Sequence, residues 1–173
     1  MCSAAYEKQV AVRQAFPAGP FVAQDQMVIA PSDFFTGLRK DLKTRLPVEL
    51  RGFHSTRGRG RLLKIYFGDD LSIHYEAWHH SGAGRLEVGL HFEASAAENQ
   101  AAFDFFRARM VQVKAGLPRA ELEPWDRGWS RLYETLPAAR LDEGVLDSTV
   151  DCMARYIVTL EPLLAEFNGG RRS

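Results

Sequence analysis

The sequence predicts an α+β fold: an antiparallel sheet of three to six strands with helices packed on one face. Three observations carry the prediction. Between residues 63 and 93, apolar and polar residues alternate with a period of two. Before and after that stretch, apolar residues recur at steps of three and four, the period of a helix packed along one stripe. Glycine- and aspartate-containing turns separate the alternating segments. At 173 residues, 46% hydrophobic and 25% charged, the chain reads as a single α+β domain, residues 1–173.

Residues 1–31 read as an N-terminal extension long enough to cover the sheet. Residues 3–16 are weakly amphipathic, Pro17, Gly19 and Pro20 punctuate the chain, and residues 21–30 read as extended or irregular. After Pro31 the signals sharpen. Ser32 is the expected N-cap of a helix whose apolar stripe is Phe35, Leu38, Leu42 and Leu46, stopped by Pro47. A strand is expected around residues 48–54. Leu63, Ile65 and Phe67 then alternate with Lys64 and Tyr66; Leu71, Ile73 and Tyr75 with Ser72, His74, Glu76 and Trp78; and Leu86, Val88, Leu90 and Phe92 with Glu87, Gly89, His91 and Glu93. His79 and His80 are expected in the loop between the last two of these strands.

Two helices follow. Ser95 and Glu98 form a capping box ahead of Phe103, Phe106, Met110, Val113 and Leu117. Leu146, Val150, Met153, Ile157, Leu160, Leu164 and Phe167 mark the C-terminal helix, which Pro162 is expected to kink or split. Between them, residues 121–134 read as a hairpin around Trp125-Asp126-Arg127-Gly128-Trp129. That hairpin sets Leu122 against Leu132 and Glu123 against Arg131. Trp125, Arg127 and Trp129 are either a stacking platform or a cross-strand aromatic pair against a helix.

Matching the apolar faces predicts the register. Across the first turn Ile65 should meet Ile73, Leu63 should meet Tyr75, and Lys64 should fall beside His74. Across the second loop, matching faces allows Trp78 opposite Glu87, Glu76 opposite Gly89 and His74 opposite His91, or a two-residue shift that sets Glu76 opposite Glu87. One face then carries Lys64, Tyr66, Ser72, His74, Glu76, Trp78, Glu87, His91 and Glu93. These form the candidate ligand-binding set, with Ser72 at its margin. The other face is expected to be apolar throughout.

The two imidazoles with Glu76 and Glu87 also form a candidate divalent-metal site, because nitrogen and carboxylate donors a few pleats apart can converge on one ion. No cofactor is predicted beyond that metal. Trp78 and Gly89 mark the same face: a large aromatic seldom stands bare, and a strand glycine admits close approach.

Charge is distributed unevenly. The 22 basic and 22 acidic residues cancel, but residues 1–64 carry +6 and residues 65–173 carry −6. The chain is therefore no globally basic nucleic-acid binder. Arg57, Arg59 and Arg61 on a Gly-Arg loop are the candidate anion-binding residues, and nucleic acid could contact residues 51–64. The expected partners are a protein or a small anionic ligand. Pairing of the basic part of one copy with the acidic part of another would give a homo-oligomer.

Cys2 and Cys152 lie in no metal or redox motif, and the first residues lack a charged and apolar leader. No apolar run approaches the ~18 residues that span a bilayer. A cytoplasmic location without membrane association is the expectation.

The order helix–strand–strand–strand–helix over residues 33–115 is similar to the core of restriction-endonuclease-like nucleases. That resemblance implies an acidic residue on one strand and Asp/Glu-x-Lys on the next. The matching positions are Asp70 at the turn and Glu76-Ala77-Trp78, so the lysine is absent, with Lys64 on the neighbouring strand as its substitute. Without a complete catalytic motif, the expected function is a non-catalytic binding or interaction module using the polar sheet face and the basic loop. A metal-dependent hydrolase or nuclease is the alternative.

Overall fold

A computed structural model describes residues 27–57 and 60–170. The weakly amphipathic stretch at residues 3–16, Cys2, Arg59 and most of the extended stretch before Pro31 lie outside these residues. The described elements, in order, are α1 (Pro31–Arg45), β1 (His54–Arg57), β2 (Leu62–Tyr66), β3 (Ile73–His80), β4 (Arg85–Phe92), α2 (Ala96–Ala108), α3 (Met110–Gly116), β5 (Glu121–Pro124), β6 (Ser130–Pro137) and α4 (Glu143–Gly170). The six strands form one antiparallel sheet in the order β1-β2-β3-β4-β6-β5. The fold is α+β, as the alternation predicts.

The apolar face of the sheet lies under α4, which touches β3, β4 and β6 and also packs on α1. Leu63, Ile65, Tyr75, Ala77, Val88, Leu90 and Leu132 are fully buried there. They meet the predicted stripe of α4, in which Val150, Met153, Ile157 and Leu160 are buried too. Burying such side chains contributes roughly 1.5–3 kcal/mol each, so this layer supplies most of the driving force.

Several expectations are corrected. Pro31 opens α1 and Ala30 occupies the cap position, so Ser32 lies inside the helix, where its carbonyl accepts a hydrogen bond from Thr36. The proline already lacks the first orphan donor, which makes a side-chain cap less necessary. Residues 48–50 form a short helical turn, and the strand begins only at His54. The helix after Ser95 keeps its capping box but breaks at Arg109 into α2 and α3. Pro162 does not split α4. It lies on the exposed side, and so does Val158, whose carbonyl the proline leaves without a donor, so water can satisfy it.

The pairing of β3 with β4 takes the first of the two allowed registers, Trp78 opposite Glu87 and His74 opposite His91. The β5–β6 hairpin also matches, with Leu122 opposite Leu132 and Glu123 opposite Arg131. Between β2 and β3 the register is two residues away from the expectation: Ile65 meets Tyr75 and Lys64 meets Glu76. The connection spans residues 67–72 rather than a tight turn. A two-residue shift leaves every side chain on its predicted face, so the alternation is preserved.

His79 and His80 are strand residues, not loop residues. His79 is buried on the helix side, its Nε2 3.0 Å from the Ala138 carbonyl oxygen. With Glu134, it makes that face less uniformly apolar than the sequence suggests.

Gly89 has a steric role. A Cβ there would stand 2.5 Å from Tyr133 Cβ and 2.7 Å from the Leu132 carbonyl oxygen, so only glycine lets β6 lie this close to β4.

Tyr75 donates a hydrogen bond of 2.9 Å to Glu161 Oε1 at the margin of the core. Burial raises the Glu161 carboxyl above its ordinary value despite the opposing effect of that bond. The folded state therefore holds the Glu161 proton more tightly than the unfolded chain does. Its stabilising contribution is complete below the ordinary value of 4.5 and is lost as pH rises through the folded value. Relative to Glu161→Gln, the wild-type chain should thus lose stability between pH 4.5 and neutrality, measured by urea unfolding across that range. Parallel stability curves for the two proteins would contradict this.

Candidate functional site

The opposite face of the sheet is polar in sequence, and its centre is closed to solvent. His74 is 1% exposed, His91 3% and Glu76 5%. Alternation alone places them: His74 and Glu76 are two apart on β3, His91 pairs with His74, and Gly89 pairs with Glu76. Glu93 follows the last residue of β4, tied down by its N–H donating to the Ser72 carbonyl at 2.7 Å. Lys64 comes from β2, opposite Glu76.

These side chains converge. Each of His74, Glu76, His91 and Glu93 offers a ligand atom, and the four atoms lie within 4.8 Å of one another. His74 Nε2 is 3.4 Å from Glu76 Oε2 and 3.8 Å from Glu93 Oε1. The two imidazole rings stack with centroids 5.7 Å apart and an interplanar angle of 18°. Lys64 Nζ donates to Glu93 Oε2 at 2.9 Å and stands 3.6 Å from Glu76 Oε2. Burial acts against ionisation of Glu76, but the adjoining His74, His91 and Lys64 outweigh it and hold the carboxyl below its ordinary value.

The His74 ring is oriented from behind. Its Nδ1 lies 2.8 Å from the Leu71 carbonyl oxygen, which can only accept, so Nδ1 carries the proton. In the neutral ring Nε2 then presents its lone pair to the carboxylates. That nitrogen is buried and has no hydrogen-bond partner. An imidazole fixed by a backbone carbonyl, with its other nitrogen aimed at carboxylates, is the usual arrangement of a metal-ligating histidine.

Glu87, a predicted ligand, has other partners. Both its oxygens accept from Arg131 at 2.7 Å, and His91 Nε2 lies 3.5 Å from Oε1. Burial opposes its ionisation, but His91 and Arg131 hold its carboxyl below the ordinary value. Arg131 also binds Glu123 at 2.5 Å and lies between two rings, 3.5 Å from the Trp125 centroid and 4.0 Å from that of Tyr133. Trp125 thus covers an arginine rather than a helix, and Arg127 lies over Trp129.

Arg131 is the residue that sequence reasoning missed. The hairpin pairs it with Glu123, but its bond to Glu87 requires the β4–β6 pairing, which spans 44 residues.

The remaining candidates lie apart from this centre. Tyr66 pairs with His54 near the β1 edge, their rings 5.5 Å apart. Trp78 stacks on His80 at 4.0 Å. Arg61 hydrogen-bonds the Ser81 hydroxyl, and Arg57 closes β1 opposite Leu63. Asp70 accepts the Ser72 N–H at 2.8 Å and so shapes its own turn. Its carboxylate is not part of the His/Glu group, which removes the acidic partner that the nuclease resemblance implies.

No protein-family model, curated protein or solved structure matches this chain. Among the described residues, no helix is long and apolar enough to cross a membrane.

The Glu87–Arg131 pair is 1% and 5% exposed. Removing one partner of such a pair strands the other charge in a dry environment, which costs about 3–5 kcal/mol. Arg131→Gln should therefore lower the unfolding free energy by that amount in urea titrations, and adding Glu87→Gln should restore part of it. A loss below about 1 kcal/mol, as for a solvent-exposed bridge, would show that the pair is not what holds this face together.

Proposed function

We propose that this chain is a metal-binding module that holds one divalent transition-metal ion, best matched by Zn²⁺, between His74, His91, Glu76 and Glu93. The observation that carries the reading is the buried, unpartnered Nε2 of His74, 3.4 Å and 3.8 Å from two carboxylate oxygens. A buried imidazole nitrogen and two carboxylates face one another, a donor set that one cation would satisfy. The spacing is close to the edge of a tetrahedron around Zn²⁺, about 3.3 Å for metal–ligand distances of ~2.0–2.1 Å. Two imidazoles favour zinc over magnesium or calcium, which select oxygen ligands.

Binding is better supported than hydrolysis. A metal hydrolase needs a carboxylate free to take a proton beside the ion, and Glu87, the remaining candidate, is committed to Arg131. The single ammonium of Lys64 offsets one of the two carboxylate charges and would compete with a metal ion for them. The buried free thiol of Cys152 fits the reducing cytoplasm as compartment.

Titration calorimetry with Zn²⁺ at neutral pH should give one site per chain. His74→Ala and His91→Ala should each weaken it at least about 100-fold, whereas Lys64→Met should tighten it by removing the competing cation. Unchanged zinc affinity in both histidine variants, with wild-type circular dichroism, would overturn the proposal, as would absence of binding to the wild-type chain.

A further inference from the structure

A second site lies at the other end of the sheet. β5 accompanies β6 only as far as Glu121 opposite Tyr133, and beyond that point β6 runs on to Pro137 paired with β4 alone. The direction of the free backbone groups follows from alternation. Ala138 N–H donates to Gly84 O on the β4 side. Along an antiparallel strand successive residues direct N–H and C=O to opposite sides, so Leu136 and Glu134 also face β4, and Thr135 faces the open side. Pro137, next in that phase, has no N–H to offer. The open edge therefore presents a single backbone donor, Thr135 N–H, beside the Thr135 hydroxyl.

A cleft of about 570 Å³ stands over this edge. Lys114 reaches it from the last turn of α3, Arg119 from the loop before β5, and Arg85 from the start of β4. Among the described residues Lys114 and Arg85 have no ion-pair partner. Arg119 donates to Glu134 Oε1 at 2.9 Å, but that carboxylate is already claimed from within. The same oxygen accepts the Cys152 thiol at 3.1 Å and has Arg155 at 3.5 Å. Arg119 and Arg155 together more than neutralise Glu134, leaving one positive charge over, and Glu121 is the other carboxylate on the rim. The cleft retains a net positive charge beside a backbone N–H and a hydroxyl.

We infer that this cleft binds the phosphate group of a small molecule. Phosphate oxygens would accept from Thr135 N–H and its hydroxyl and lie among Lys114, Arg85 and Arg119. Three separate cations suit a dianion with several oxygens better than a carboxylate, which one guanidinium can satisfy. An added peptide strand is disfavoured, because the edge offers one N–H before the proline ends it. The volume falls within the range of small-molecule sites. The site is independent of the His/Glu group and of any metal.

The test is a two-dimensional amide NMR titration of the full chain with inorganic phosphate, alongside acetate at matched ionic strength. Phosphate should shift the Thr135 amide saturably, and the double variant Lys114→Gln/Arg85→Gln should weaken that response by about tenfold or more. Both side chains are exposed, so the variant's remaining amide spectrum should be unchanged. Arg119 is left intact because it holds Glu134. The inference is overturned by no saturable shift at Thr135, by an equal response to acetate, or by a phosphate response that survives the double variant.

Discussion

Tyr75 pairs with Leu90 and Ala77 with Val88 beneath α4, and the residues alternating with them on the same two strands set His74 against His91 and Glu76 against Gly89 on the far side. This one register serves both faces. A slip of a single residue would put the imidazoles into the core and the core residues into the polar centre, so the apolar burial that stabilises the sheet also enforces the geometry of the site. The Gly89 position adds a steric condition, since any side chain there would collide with the backbone of β6.

The charges of the polar face divide into two groups. Glu87 belongs to Arg131, which is clasped by Trp125, Tyr133 and Glu123, and this cluster is closed and self-satisfied. Glu76 and Glu93 share one flexible ammonium, that of Lys64, while an oriented imidazole nitrogen faces them without a partner. The first group is closed by its own partners, and the second is the centre proposed to hold a metal ion. Lys64–Glu93, Lys64–Glu76 and Arg45–Asp151 also join the basic first part of the chain to its acidic remainder. The uneven charge seen along the sequence is therefore partly cancelled within one molecule, which weakens the case for self-association through it.

Much of the fold was legible because apolar alternation is a local signal. β3 and β4 declare their faces within eight residues each, the β5–β6 hairpin is marked by its turn residues instead, and the cluster of Lys64, His74, Glu76, His91 and Glu93 follows from the strand faces. The period of two cannot distinguish registers two residues apart, so alternation leaves the β2–β3 offset open while it keeps each side chain on its face. β1 was misplaced because His54-Ser55-Thr56-Arg57 carries no apolar alternation, as an edge strand can afford. The commitment of Glu87 to Arg131 rather than to the His/Glu group has no local signal, because no pattern joins Glu87 to a residue so far along the chain.

Crystals grown with Zn²⁺ and measured on both sides of the zinc absorption edge would test the metal site most directly. The expected result is one anomalous peak about 2.0–2.2 Å from His74 Nε2, a His91 ring nitrogen and oxygens of Glu76 and Glu93, with the Lys64 ammonium displaced. A vacant centre with Lys64 still bound to Glu93, and zinc found only at the surface, would contradict it.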